Sequence, residues 1–112
     1  MREDILDYEL EAVHGCSLVK WRLGENQNSK PYASRTQAHK SIQCEGIFGG
    51  ATVTLEGSNS GSGWAILHNN QGNPLIFYGA GIESISEQTR YVRPSSIGGD
   101  KITKVILTLL LS

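Results

Sequence analysis

The sequence predicts an all-β protein, a single-domain antiparallel β-sandwich of jelly-roll type with an N-terminal arm or short helix. Its 112 residues are enough for one domain with a substantial core and too few for two. Thirteen glycines and three prolines separate short apolar segments, which is typical of short strands joined by many turns. Residues 49–67 also carry a complete hairpin pattern. We expect about seven or eight strands in total.

The hairpin is the clearest local signal. Residues 51–56 (ATVTLE) alternate apolar and polar side chains, the period-two pattern of a strand with one buried face. Residues 57–63 (GSNSGSG) interrupt that pattern with three glycines, which can adopt positive φ angles in a turn. Trp64 then begins the return strand, and we expect its ring to anchor that strand in the core.

The first fifteen residues differ in charge from the rest. Residues 1–14 contain five acidic side chains and one basic side chain. We therefore divide the chain into an acidic arm, residues 1–15, and a β-sandwich domain, residues 16–112. The apolar side chains of the arm suit either one stripe of a short helix or an extended segment lying along a partner, and the contact residues we expect there are Ile5, Leu6, Tyr8 and Leu10.

The remaining elements follow from short apolar runs between polar turns. Residues 24–36 form a polar surface connection, and residues 82–88 a single helical turn or an irregular crossing. In the second strand Ile42 and Cys44 share a face, so Cys44 is expected to be a core thiol. Together with the hairpin and the last strand, strands are predicted at residues 17–23, 38–45, 75–78 and 90–93.

The last strand, residues 104–111, is apolar on both faces. One face carries Val105, Leu107, Leu109 and Leu111, and the other carries Ile106 and Leu110. Such a strand lies either between two covered layers or against a partner. Because one face of each sheet in a two-layer sandwich normally meets water, we favour a subunit or partner contact. The contact residues expected there are Ile106, Leu110 and Leu111.

The sequence gives no indication of an enzyme, a metal site or a cofactor. The three histidines are scattered and lack metal-binding spacing, and the acidic residues of the sandwich fall on predicted solvent faces or turns. Two cysteines without an export signal are expected to be buried thiols. A net charge of −1 indicates neither nucleic acid nor an anionic membrane as partner. No apolar run approaches the roughly 18 residues of a membrane span.

Tyr91 and Arg93 share one face of a predicted strand and are candidates for surface contacts. A basic and an aromatic side chain together can stack on nucleic-acid bases, as in single-strand binders. No wider basic patch accompanies them, so a salt bridge within or between subunits is the interpretation we favour.

Several segments resemble one family of phage structural proteins. They are residues 38–43 (AHKSIQ), 50–59 (GATVTLEGSN), 63–64 (GW), 71–73 (QGN), 80–82 (AGI), 90–94 (RYVRP) and 98–100 (GGD). Their order and spacing are similar to the capsid decoration, or stapling, proteins of epsilon-fifteen-type short-tailed bacteriophages. The resemblance covers residues 38–109. The family turn carries an aspartate where Ser60 stands here, which argues against a cation or sugar role for this turn.

The resemblance implies a jelly-roll protein on the outer surface of an icosahedral head, made in the host cytoplasm. Its partner would be the major capsid protein, and it would act as a homodimer at local two-fold positions. Two alternatives remain open: a carbohydrate-binding module that stacks sugars on Trp21, Trp64, Tyr78 and Tyr91, and another virion role such as a head–tail or tail subunit. The number of copies per particle would distinguish these virion roles, because a decoration protein is present in hundreds of copies and a connector ring in about a dozen.

Overall fold

Two β-sheets pack face to face in the computed structural model, which describes residues 5–6, 8–34 and 39–112. The predicted all-β, jelly-roll-like sandwich is confirmed. The strands of the described residues are β1 (Ile5–Leu6), β2 (Glu9–Val13), β3 (Cys16–Leu23), β4 (Asn28–Ser29), β5 (Tyr32–Ala33), β6 (Lys40–Ile47), β7 (Thr52–Ser58), β8 (Ala65–Ile66), β9 (Ile76–Phe77), β10 (Gly81–Ser84), β11 (Tyr91–Ile97) and β12 (Lys104–Leu111).

The two sheets differ in regularity. The five-stranded sheet has the order β10-β6-β12-β3-β2 and is antiparallel throughout. The seven-stranded sheet has the order β1-β4-β11-β7-β8, with β5 added to β11 and β9 added to β7. Its pairs are antiparallel except β1 with β4. Long strands β6, β12 and β3 therefore form one continuous surface, whereas short strands border the other sheet.

The core lies between the inner faces of the sheets. Every second residue of β12 is buried there, as the alternation predicted. Trp21 is completely buried, and its indole Nε1 donates a hydrogen bond to the carbonyl oxygen of Lys30 at 3.0 Å. That bond satisfies the one polar atom of the largest core side chain. The core cluster includes Val19, Ile42, Cys44, Val53, Leu55, Val92, Val105, Leu107 and Leu109.

Pro94 sits inside β11 without breaking the sheet. Its partner in β7 is Leu55, whose N–H donates to Leu75 and whose carbonyl accepts from Leu67. Both polar groups of Leu55 therefore point away from β11, and Pro94 needs no N–H on the β7 side. On its other side, β11 faces the break between β4 and β5. A missing donor costs least at such a break.

The hairpin is present, with one correction. Strand β7 buries Val53 and Leu55 as predicted, but Thr54 on the opposite face is buried as well. The backbone N–H groups of the turn donate to the hydroxyls of Ser58 and Ser60. The prediction that Trp64 lies in the core is wrong. The return strand β8 begins at Ala65, and Trp64 is half-buried on the outer side of the seven-stranded sheet, where Arg93 stacks on its ring.

Other local predictions also need correction. Residues 9–13 are strand β2, not a helix, and they pair with β3 of the same chain rather than extend away from it. The polar connection holds two short strands, β4 and β5, because Asn28, Tyr32 and Ala33 complete the edge of β11. Strand β10 replaces the expected helical turn and pairs with β6. Cys44 is buried as predicted, whereas Cys16 is half-buried.

Candidate interaction surfaces

The outer face of the five-stranded sheet has apolar side chains at its centre. We call Leu18, Ile106 and Leu110 the apolar strip. Leu110 of β12 lies directly opposite Leu18 of β3, and Ile106 stands four residues away on the same face, with Thr108 between them. Leu110 is 36% exposed, and Leu18 and Ile106 are half-buried. This face therefore has apolar side chains on its central strands, separated by the polar row of Thr108, Lys20 and Gln43, and it remains open to solvent.

Charged side chains surround the apolar strip. Ile106 lies between Arg22 of β3 and Glu45 of β6, and Lys20 occupies the next position along β3. At the edge, the Arg22 guanidinium binds the Glu9 carboxylate at 2.7 Å, with both side chains more than half exposed. Two further apolar side chains, Ile47 and Ile82, lie at the periphery and are more than half exposed. An apolar centre with a charged rim is the usual pattern of a protein-binding surface.

The structure separates the contact residues that the sequence grouped together. Ile106 and Leu110 lie on the outer face, as predicted. The assignment of Leu111 to a contact surface is wrong, because its side chain is 1% exposed and points into the core. Leu10 is 61% exposed, but it pairs with buried Val19 and so projects from the opposite side of the sheet.

The aromatic contact residue of the arm packs against its own domain. The ring of Tyr8 meets Trp21 edge-on at 6.2 Å between ring centres and Tyr32 at 5.4 Å. Its ring is therefore half-buried and held by its own domain. For Ile5 and Leu6 the structure describes the pairing of β1 with β4, and their side chains lie outside what is described.

A second surface feature lies on the seven-stranded sheet. An open groove of about 460 Å³ runs between the hairpin turn and the segment before β5. We call it the aromatic groove. Its aromatic and apolar walls come from Tyr8, Pro31, Trp64 and Tyr91, and Lys30, Ala33, Ser60 and Gly61 complete it. Because four separate chain segments contribute, no single sequence motif indicated it.

Two arginines stack on the aromatic rings of this groove. The guanidinium of Arg93 lies 4.1 Å from the centre of the Trp64 ring, and its Nε donates to a Glu56 carboxylate oxygen at 2.9 Å. The expected salt bridge of Arg93 is thus intramolecular. Arg90 lies 5.2 Å from the centre of the Tyr91 ring. Among the described residues, no acidic partner of Arg90 is present.

The predicted sugar-stacking platform does not form. Trp21 is inside the core, and Tyr78 is 75% exposed in the turn after β9, where it does not line the aromatic groove. Only Trp64 and Tyr91 of that set lie together. The signal that marks them in the sequence is a tryptophan directly after a glycine-rich turn and an Arg-Tyr-Val-Arg strand, which places aromatic and cationic side chains on one face.

A third cluster joins the β8–β9 connection to the segment after β10. The His68 ring Nδ1 and a Glu87 carboxylate oxygen are 2.6 Å apart, and the His68 backbone N–H donates to the other oxygen at 2.7 Å. Burial acts to raise the pKa of Glu87, but the bonds from His68 outweigh it and hold that pKa below its usual range. This pair fastens two loops together.

The buried ionisable groups do not assemble a reactive centre. Burial, followed by the charge of Glu45, raises the pKa of the Cys44 thiol to about 12, so the reactive thiolate is disfavoured. Lys40 is buried at the inner end of β6, which lowers its pKa, and no described residue hydrogen-bonds its amine. Across the described ranges, no three acidic, histidine or cysteine side chains come together as a metal site. The same ranges contain no helix able to cross a membrane.

Comparison with known proteins gives no family assignment. No protein-family model and no curated protein matches the sequence. The fold is similar to that of protein NMB1881 from Neisseria meningitidis, with 12% identity over 98% of this chain and 87% of that one and a TM-score of 0.49. A cupin-superfamily sugar phosphate isomerase from Silicibacter pomeroyi shares 9% identity over 87% of this chain and 50% of its own, with a TM-score of 0.44. Drosophila melanogaster CENP-C bound to CAL1 shares 14% identity over 94% and 76%, with a TM-score of 0.43. Similarities at these TM-scores carry no argument about function.

Proposed function

We propose that this protein is a structural subunit of a bacteriophage particle, which binds the outside of an icosahedral head and joins neighbouring major capsid subunits. The observation that carries the proposal is the apolar strip at the centre of the five-stranded sheet, exposed between charged side chains. Apolar side chains gathered on an open sheet face and bordered by charged ones are typical of a surface that a partner covers. The resemblance of residues 38–109 to capsid stapling proteins supplies the kind of partner.

The size of the face fits a weak, repeated contact. Strands β6, β12 and β3 have 8 residues each, and the edge strands β10 and β2 have 4 and 5. At about 4.8 Å between strands and about 3.3 Å per residue, the face covers roughly 500 Å². A stable pairwise interface needs about 800 Å² from each partner. One contact of this size is therefore weak. When a subunit holds two capsid subunits at once, the first contact raises the effective concentration for the second, and the combined binding is stronger than either contact alone. A homodimer at a local two-fold position, which presents two such faces, belongs to the same proposal.

The test uses purified protein and expanded phage heads that lack it. We expect saturable binding, hundreds of copies per head and a higher melting temperature of the shell. Ile106→Lys should abolish binding because it places a charge in the apolar strip. Ile97→Lys is the matched control, since Ile97 is 63% exposed at the end of β11 in the other sheet.

Two results would contradict the proposal. One is equal stability of the heads to heat and chelator with and without the protein. The other is equal loss of binding in both isoleucine variants, since the contact would then not involve the apolar strip. About a dozen copies per particle would instead favour the alternative of a head–tail connector.

A further inference from the structure

We propose that the aromatic groove is a binding site for a proline-rich peptide segment in the polyproline II conformation, with an acidic residue beside the prolines. This inference goes beyond the proposed shell contact, because the groove lies on the seven-stranded sheet and the apolar strip lies on the five-stranded sheet. The occupant is a segment of another protein. Three observations carry it: the apolar walls, the hydrogen-bond donors and the charge at the rim.

The walls suit proline rings. Tyr8, Trp64 and Tyr91 line the groove together with Pro31, and the volume of this open groove is about 460 Å³, which lies within the range of ligand sites. Pro-rich segments dock in aromatic-lined grooves because their extended helix is already formed, so little conformational entropy is lost on binding. The Tyr8 ring is itself held by edge-on contacts with Trp21 and Tyr32, so that wall is rigid.

The hydrogen-bond donors that line the groove favour a ligand that is rich in acceptors. Trp64 Nε1 is a donor, and neither it nor the Tyr91 hydroxyl has a hydrogen-bond partner in the described part of the chain. Among the described residues that line the groove, none is Asp, Glu, Asn or Gln. A polyproline segment offers carbonyl acceptors and no backbone N–H, which matches such a groove. A sugar offers hydroxyls that donate as well as accept, and the described lining residues supply no carboxylate or amide side chain to accept from them.

The rim adds a charge requirement. Arg90 lies over the Tyr91 ring, and its guanidinium has no acidic partner among the described residues. Arg93, in contrast, is neutralised by Glu56 at 2.9 Å. An acidic residue next to the prolines would therefore be able to pair with the Arg90 guanidinium beside the Tyr91 ring. This charge complementarity distinguishes the proposed occupant from a purely apolar peptide.

The test is a titration of the whole protein with a peptide of about nine residues, mostly proline with a glutamate at each end, roughly 28 Å long. Backbone and indole NMR signals report where it binds. We expect the Trp64 indole and Tyr91 signals to shift, and a matched peptide with alanine in place of proline to have no effect. Tyr91→Phe keeps the ring and removes one donor, so it should weaken binding about fivefold. Trp64→Phe removes a donor and also part of the aromatic wall, so it should weaken binding at least as much. Tyr78→Phe is the control, because Tyr78 is exposed and does not line the groove.

Charge reversal provides a second variant that does not depend on the aromatic rings. Arg90→Glu should weaken binding of the glutamate-flanked peptide and strengthen binding of the same peptide flanked by lysine. The inference is overturned if the peptide at about 1 mM shifts neither Trp64 nor Tyr91. It is also overturned if both phenylalanine variants bind as tightly as the parent, or if a hexasaccharide shifts these signals and the peptide does not. None of these results bears on the shell contact, which is tested on the other sheet.

Discussion

Leu110 and Leu111 are neighbours in β12, yet they face opposite environments: Leu110 is 36% exposed on the outer face, whereas Leu111 is 1% exposed in the core. Successive side chains of a strand point to opposite faces. Substitutions at these two adjacent leucines therefore separate the proposed shell contact of β12 from its contribution to folding.

We expect Leu111→Ala to lower the free energy of unfolding by about 2–4 kcal/mol, because it removes buried methyl groups and leaves a cavity. Leu110→Ala should lower it by less than about 1 kcal/mol and should instead weaken shell binding. Urea unfolding of both variants, followed by Trp21 fluorescence, measures the difference. Equal destabilisation by the two substitutions would contradict the assignment of faces.

The Arg93–Glu56 ion pair is partly shielded from solvent on the outer side of the seven-stranded sheet. Both side chains are about one quarter exposed, at 25% and 22%, and the Trp64 ring covers the guanidinium. A double-mutant cycle of Arg93→Met and Glu56→Gln should give a coupling energy of about 0.5–1 kcal/mol, near the upper end for ion pairs at a surface. The same cycle on Arg22 and Glu9, which are both more than half exposed, should give a smaller coupling. The reverse order would contradict the geometry.

The Glu87–His68 pair makes stability depend on pH. The pKa of Glu87 is lowered in the folded protein, so the folded state favours the carboxylate. Its contribution is fully present above the ordinary glutamate pKa of about 4.3 and is lost as pH falls through the lowered folded value. We expect Glu87→Gln to flatten the fall in melting temperature below about pH 4.3. Glu11→Gln, on exposed β2, is the control and should leave that slope unchanged.

Thiol chemistry should distinguish the two cysteines. Cys44 is buried, with its pKa raised to about 12, whereas Cys16 is half-buried at the start of β3. Iodoacetamide should therefore modify Cys16 in the folded protein and Cys44 only after unfolding. Mass spectrometry of digests prepared with and without denaturant identifies the modified residue. Modification of Cys44 before Cys16 under native conditions would contradict the core placement.

Substitutions at Gly46 and Gly50 distinguish the cost of backbone strain from the cost of a steric collision. Both have positive φ angles, +114° and +87°, which residues with a side chain rarely adopt. At Gly46 a Cβ would collide with the Lys104 carbonyl oxygen, whereas at Gly50 it would meet open space. We expect Gly50→Ala to cost about 1–2 kcal/mol through strain alone and Gly46→Ala to cost more, because β6 must also separate from β12. Thermal unfolding of the two variants makes the comparison, and equal losses would show that the collision relaxes freely.

The fold was predictable because apolar side chains recur at every second position of the long strands and so mark the face that meets the core. In β7 and β12 the alternation of side chains identifies the buried face, and Cys44 was placed in the core by the same reasoning. Trp64 was misplaced because hydrophobicity alone does not distinguish a core tryptophan from one covered by an arginine. The short strands β4 and β5 were missed, since two-residue pairings leave almost no periodicity. The aromatic groove was not predictable as a unit, because Tyr8, Pro31, Trp64 and Tyr91 come together only in three dimensions.

The position of β12 affects how the chain can fold during synthesis. It lies between β6 and β3 in its sheet, yet it follows every other described strand along the chain. Until β12 has left the ribosome, β3 and β6 have no partner between them and the core lacks Val105, Leu107 and Leu109. These pairings are also distant in sequence, which slows their formation. Nascent chains that lack β12 therefore have this sheet divided into the pairs β10–β6 and β3–β2, which join only when β12 pairs with both β6 and β3.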